Sequence, residues 1–430
     1  MQKRRVWIYA LMFLLSAINY IDRSALSVAA TPLSHEFGLD PVQLGYLFSS
    51  FLWLYVICLV PMGIIVDRLG TRTVNGLGIA VWSAATLLTG VVGSFAALLG
   101  TRVLMGAGEA TTYPAAGRVV REWVPVRERA LFTTIFNSGA YFGPAIGGLV
   151  LTWLVGVAGW RSAFFASGAI GFVWLGAWMI WFRQPEQARW LKAEERALIV
   201  RERDAQGPIV GHAPTALGVG NLLCSPSLLG MMLTQGCAVY TQYLFLTWLP
   251  TYLQSARGIS LVTSGALTAL PYVGAVVLTV LFGKISDMLL TPETARSGGR
   301  RRMVALAMLV ASVILLTPFV SNVYVILLLI MIALSGVATT VGLNIALLSD
   351  LLRSSADAGR ATGLLILGGN IFGILAPIVT GYVIRATGSF DYAFVIAGAL
   401  LVCGSLSALL LTSRPIAGAP RLAQSMTPTT

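Results

Sequence analysis

The chain has 430 residues, 57% of them hydrophobic and 11% charged, with a formal net charge of +12. A water-soluble domain carries about 25% charged residues, so this composition excludes a soluble enzyme or binding module. It points to an integral membrane protein, with no enzymatic motif of the P-loop, H-E-x-x-H or nucleophile-elbow kind.

Apolar runs of about 20 residues, the length a spanning helix needs, recur along the sequence. Twelve are expected, at 6–30, 43–66, 74–94, 96–120, 130–154, 162–182, 228–253, 262–286, 303–320, 323–349, 361–385 and 390–412. Lys3-Arg4-Arg5 anchors the first at the inner surface, and it carries Asp22-Arg23 with no small-residue cleavage site, so it reads as a retained helix rather than a signal peptide. His35, Glu36 and Asp40 fall in a short outer loop. After the second run comes Gly63-Ile64-Ile65-Val66-Asp67-Arg68-Leu69-Gly70-Thr71-Arg72, a G-x-x-x-D-R-x-G-x-R stretch whose charges can pair with neighbouring helix ends.

The fourth run contains Thr101 to Ala110, which sets Arg102 and Glu109 in otherwise apolar and small residues. Their spacing of nearly two turns puts both on one face, roughly 10 Å apart, too far for a mutual ion pair, so each needs a partner on another helix. Charged groups at mid-membrane usually mark substrate or ion pathways. The fifth run has Gly139, Gly143-Pro144, Gly147 and Gly148 at a spacing that favours close helix packing. Between Arg183 and Pro226 the composition becomes charged and then Gly/Pro-rich: Leu191 to Arg203 is expected as a surface helix and Gln206 to Gly220 as a flexible linker.

The two sides of this segment repeat weakly. Gly63-x-x-x-Asp67 recurs as Gly283-x-x-x-Asp287, Gly108-Glu109-Ala110-Thr111-Thr112 as Gly336-Val337-Ala338-Thr339-Thr340, and Gly143-Pro144 with Gly148 matches Gly373, Pro377 and Gly381. Expected is an all-α integral membrane protein with twelve transmembrane helices in two pseudo-symmetric six-helix bundles, residues 1–183 and 227–430, joined by a cytoplasmic linker at 184–226. Such repeats place a transporter's site at the midplane between the halves. Glu109 aligns with Val337 and Arg102 with Ile330, so the first half keeps the buried charges while the second offers Gln235, Thr241, Gln242, Asn344 and Asn370, with Tyr240 and Tyr243.

Most of the 29 Lys and Arg then lie in cytoplasmic loops, tails or adjoining helix ends; Arg161, Arg257 and Arg385 fall outside, and Arg23 and Arg102 within the membrane. This positive-inside bias places both termini in the cytoplasm of a multi-pass plasma (bacterial inner) membrane protein and implies no nucleic-acid partner. Cys58, Cys224, Cys237 and Cys403 have no metal spacing and imply no disulfide, metal or cofactor.

With these stretches in view, the chain resembles the major facilitator superfamily over nearly its whole length. The inner-loop motif, its weaker copy and the Gly-Pro run carry that match. Within it the chain is similar to the anion:cation symporter family, which includes proton-driven carriers of sugar acids and hexuronates and phthalate carriers. Tyr20-Ile21-Asp22-Arg23, Trp53-Leu54-Tyr55, Arg102 to Glu109, Leu246-Thr247-Trp248-Leu249-Pro250 and Pro185-Glu186 to Glu195-Arg196 carry this narrower match. The resemblance implies proton coupling at Asp22 and Glu109, and anion binding by Arg102 with Arg23, Tyr55, Gln235, Gln242, Tyr243 and Asn370 lining the site. It also implies a cytoplasmic gate at Asp67, Arg68, Arg72 and Asp287. The chain departs from sugar-acid members in having Ala140 after Ser138-Gly139 and apolar residues near Leu365 to Leu367, which leaves room for a less polar carboxylate. The expected function is proton-coupled symport of a small organic anion by a monomer, the alternatives being an anion exchanger or uniporter, a drug exporter or a transporter-like sensor.

Overall fold

The computed structural model describes residues 4–205, 218–289, 298–352 and 357–416, and they are helical almost throughout. The first group is α1 (Val6–Phe37), α2 (Pro41–Leu69), α3 (Thr71–Thr89), α4 (Phe95–Glu109), α5 (Thr112–Trp123), α6 (Arg129–Ala158) and α7 (Trp160–Trp181). The charged segment forms α8 (Ala193–Asp204), shorter at its start than expected, and the end of the expected linker already belongs to α9 (Val219–Leu223). Residues 206–217 of that linker lie outside the described residues. The second group is α10 (Pro226–Thr251), α11 (Leu261–Leu289), α12 (Gly299–Ala311), α13 (Val323–Leu351), α14 (Ala358–Thr387) and α15 (Asp391–Leu411). A π-helical turn, Tyr252–Ala256, extends α10, and a 3₁₀ stretch, Ser312–Phe319, extends α12.

Local chemistry sets the ends. Gly38 ends α1 in the left-handed conformation (φ 63°), which it adopts without a Cβ penalty. Asp40 and Gln43 then form a reciprocal capping box at the start of α2, with Pro41 in the first turn where its missing N–H costs nothing. The expected fourth run is corrected to two helices, broken at Ala110 and Thr111. Pro114 is the physical reason: it cannot donate to the Ala110 carbonyl, and its ring crowds that carbonyl. The Thr111 hydroxyl donates instead to the Gly108 carbonyl at 3.0 Å. Glu109 therefore sits at a helix end deep inside the protein.

Among the described residues, nine helices are long and apolar enough to cross a membrane. Those outside the nine include α3, α4 and α10. Of these, α4 is only 15 residues long because of its break. The other two carry buried polar groups: Asn75, Ser83 and Thr86 on α3, and Thr234, Gln235 and Thr241 on α10.

Helices before the charged segment pack chiefly on one another, as do those after it; the groups meet along α2–α14, α6–α11 and α1–α10. Within the first group, Gly139 and Gly143 of α6 bring its backbone against Ala17 of α1. The two groups touch backbone to backbone near the start of α2. A Cβ on Gly45 would lie 2.6 Å from the Pro377 carbonyl oxygen, and one on Gly381 would run into the Pro41 carbonyl. At the same end Asp40 faces Arg385 at 3.7 Å, and the Tyr46 and Tyr382 hydroxyls lie 3.4 Å apart. The α8 segment is fastened to the first group. Arg5 pairs with Glu128 at 2.8 Å and with Glu195 at 3.0 Å, and Trp190 stacks on Trp123 with centroids 5.5 Å apart. Its bond to the Glu128 carboxylate holds the Arg5 guanidinium above its ordinary range.

Candidate functional site

Arg23 of α1 is the centre of a cluster built by α1, α2, α4 and α10. Its Nε donates to Glu109 Oε2 at 2.8 Å, and its Nη1 donates to the Tyr243 hydroxyl at 3.0 Å. Nη2 is also 2.8 Å from Glu109 Oε2, an ion-pair contact at an angle too poor for a second hydrogen bond. Around the guanidinium lie the rings of Tyr20 and Phe51, each at 4.8 Å, and Tyr55 at 5.3 Å. Cation–π attraction of this kind is strongest where water is excluded. Arg23 is 5% exposed and Glu109 is fully buried, so the pair sits in a low-dielectric setting where removal of either partner is severe.

The local folding explains the placement. Asn19 and Arg23 are one helical turn apart on α1, as Phe51 and Tyr55 are on α2. Gly106 lets α4 approach the Phe51 carbonyl so closely that any side chain there would overlap it. That approach delivers Glu109, at the end of α4, to α1.

No hydrogen bond or ion pair joins Arg102 to the second group among the described residues. Its Nη1 reaches the Asp22 carbonyl oxygen at 3.5 Å and Met105 Sδ at 2.9 Å, and its guanidinium carbon is 5.9 Å from the Phe51 centroid. Phe51 is thus a shared wall between the two buried arginines. Both Asp22 carboxylate oxygens, Glu109 Oε1, both polar atoms of the Asn19 side chain, Arg102 Nε and Trp82 Nε1 are buried without a hydrogen-bond partner. Buried polar groups without partners are costly, and their concentration here marks a place arranged for something other than stability.

The structure brings Arg23, Glu109, Tyr55 and Tyr243 together, with Asp22 and Arg102 adjoining. Gln235 is engaged elsewhere in the second group, where its Oε1 accepts from Asn344 Nδ2 at 3.0 Å. Gln242 is half-buried, and Asn370 donates to its own helix at Ile366, 3.1 Å away; no contact joins either to Arg23 among the described residues. At the far end of α2, Asp67 faces Arg118 of α5 at 3.4 Å and Arg68 is exposed. Arg72 donates to the Met179 carbonyl of α7. The Asp287 side chain lies outside the described residues. Sequence reasoning missed Asn19, Phe51 and Trp82. The signal available was positional, since Asn19 stands one turn before Asp22–Arg23 and Phe51 one turn before Tyr55.

A bundle of apolar helices of membrane length, packed around half-satisfied buried charges at the contact between two groups, defines a membrane transporter rather than an enzyme. The chain belongs to the major facilitator superfamily: the family profile of that description matches residues 12–296 and 288–428. It is 33% identical to the probable galactarate/D-glucarate transporter of Escherichia coli (strain K12), over 96% of each chain. It is 30% identical to the D-galactonate transporter of Escherichia coli O6:H1 (strain CFT073), over 95% of this chain and 96% of that one. In fold it is similar to a bacterial homolog of the human lysosomal transporter Spinster in an inward-facing and occupied conformation, with a TM-score of 0.73, 19% identity, and coverage of 96% of this chain and 97% of the other. The chain is accordingly a multi-pass inner-membrane transporter of that superfamily.

Proposed function

We propose that the protein is a proton-coupled symporter of a small organic carboxylate, working by alternating access between two six-helix bundles, residues 1–183 and 227–430, linked by 184–226. Adding α3, the α4–α5 pair and α10 to the nine apolar helices gives twelve crossings with both termini in the cytoplasm. On this reading the backbone contacts of Gly45 and Gly381 lie at the outer face, and the state described is closed to the outside.

The observation that carries the proposal is the Arg23–Glu109 pair, whose arginine is also bonded to Tyr243 of the other bundle. A guanidinium can grip a carboxylate through two parallel bonds and stays charged throughout. Here its carboxylate partner is supplied by the protein, so Glu109 occupies the place that a substrate carboxylate needs. Protonation of Glu109 cancels its charge and frees Arg23; an incoming anion then restores neutrality. Loss of the substrate and of the proton lets Glu109 pair again with Arg23. Asp22, a fully buried carboxyl whose oxygens accept no hydrogen bond, is the second proton-visited group, because burial penalises an ionised carboxylate. Arg102 holds the local charge balance beside it. The loop between substrate and proton is closed because neither Arg23 without an anion nor Glu109 without a partner is cheap to bury.

The aromatic rings around Arg23, with the apolar residues that the resemblance puts in place of polar ones at Ala140 and near Leu365 to Leu367, favour a carboxylate less hydroxylated than galactarate. Thermal-shift titration of the purified protein with galactarate, D-galactonate, an aromatic monocarboxylate and an uncharged hexose tests the class. Stabilisation by carboxylates alone is expected, together with alkalinisation of the medium when the same compound is added to proteoliposomes. Stabilisation by the hexose alone would overturn the anion reading, and uptake without proton movement would leave an exchanger or uniporter.

A further inference from the structure

The end of α7 holds a cleft of about 400 Å³ that no part of the transport site uses, lined among others by Ile180, Trp181, Arg183, Arg189 and Trp190. Its electrostatics are unbalanced. Arg72 and Arg183 converge on one acceptor, the Met179 carbonyl, at 2.5 and 2.7 Å. Arg189 is exposed and makes no hydrogen bond or ion pair among the described residues. Two carboxylates of the same segment are committed elsewhere: Glu186 to Arg203 at 2.6 Å, and Glu195 to Arg5 at 3.0 Å. Arg72 Nε is buried with no partner.

The walls are fixed. Trp190 is stacked on Trp123, donates through Nε1 to the Trp181 carbonyl at 3.3 Å, and accepts at its own carbonyl from Arg4 at 2.7 Å. On the other side the cleft runs onto exposed apolar surface: Val173, Ile180 and Trp181 are 76%, 68% and 56% exposed on a helix apolar enough to span. Cationic groups thus stand at the boundary where that apolar surface gives way to the charged segment. Tryptophan favours this depth of a bilayer, and clusters of arginine beside a span attract anionic headgroups.

We infer that this cleft binds the phosphate of an anionic phospholipid, whose acyl chains lie along the exposed face of α7 while Arg183 and Arg189 hold the headgroup. The lipid would fasten the end of α7 to α8 within the first bundle. Phosphate geometry suits guanidinium, which can offer two parallel donors.

The test is native mass spectrometry of the full chain released from micelles containing equal phosphatidylglycerol and phosphatidylcholine. Wild type should retain one phosphatidylglycerol in preference to phosphatidylcholine. Arg189→Gln should weaken that retention about fivefold, and the Arg183→Gln/Arg189→Gln pair by a further similar factor. Arg189→Lys, which keeps the charge but not the forked donors, should recover part of it. Equal retention of both lipids by wild type, or unchanged retention in Arg189→Gln, would overturn the proposal. Displacement of the lipid by millimolar inorganic phosphate would also overturn it, by showing a free-anion site. Arg189→Gln contacts nothing whose loss would unfold the chain, so its result stands even if the double variant is poorly folded.

Discussion

Glu109 Oε2 lies 2.8 Å from Arg23 Nε, and the same guanidinium reaches the Tyr243 hydroxyl at 3.0 Å across the contact between the two helix groups. One side chain therefore reports at once on the charge of α4 and on the position of α10. In a transporter this is a direct route by which protonation of a carboxyl could alter how two bundles sit together.

Replacing Arg23 should be the most damaging single change. Arg23→Ala strands Glu109 in a buried site, at a cost of about 3–5 kcal/mol in stability. Arg23→Lys restores charge without the forked geometry and should recover stability better than binding. Thermal denaturation and substrate titration, measured side by side, separate these effects. Wild-type affinity in the lysine variant would contradict a bidentate grip.

Tyr243→Phe removes one hydrogen bond to a charged donor, worth about 1.5–3 kcal/mol, while keeping the ring against Phe51. Because that bond crosses between the groups, its loss should shift the balance of conformations as well as weaken binding. Spin labels on α2 and α14 should show a broader or longer distance distribution. An unchanged distribution would mean the hydroxyl only serves the ligand.

Gly381→Ala places a methyl group against the Pro41 carbonyl, where the backbones already touch. The expected result is a population shift away from the closed end, read as greater reactivity of a cysteine introduced near Asp40. Gly38→Ala would be a poor control, because its positive φ adds strain of its own. No gain in reactivity for Gly381→Ala would contradict the closure assigned to this end.

Asp67→Asn should slow transport and leave equilibrium binding unchanged. The Asp67–Arg118 pair spans 3.4 Å with side chains 57% and 24% exposed, so its loss should cost under about 1 kcal/mol. Stopped-flow uptake against equilibrium titration makes the distinction. A collapse of binding would refute a gate role.

The helical architecture was legible because apolar runs of membrane length leave little else for the chain to do. The break before α5 was readable in retrospect, since Pro114 removes a donor that a continuous helix would need. Arg102 and Glu109 were expected to share a face without pairing, and the ion pair of Glu109 among the described residues is with Arg23. Which partner each would take was not readable. That depends on the register of α1 against α4, fixed by the contact of Gly106 with the Phe51 carbonyl and of Gly139 and Gly143 with Ala17. Spacing within one helix carries no information about such a register. Arg102 and Arg23 looked alike in sequence; only packing turns Arg23 toward Tyr243 and Arg102 toward the α1 backbone.

The central claim, that Glu109 exchanges a proton for its hold on Arg23, is tested most directly with Glu109→Gln. Glutamine retains the size and much of the hydrogen bonding but has no proton to release, and the residue expected as its repeat partner, Val337, is uncharged. Reconstituted Glu109→Gln should be assayed for substrate counterflow and for uptake driven by an imposed pH gradient. Counterflow should persist, because neutral glutamine leaves Arg23 free for the anion, while accumulation against a gradient should be lost. Accumulation at the wild-type level would contradict the account and leave Asp22 as the coupling carboxyl.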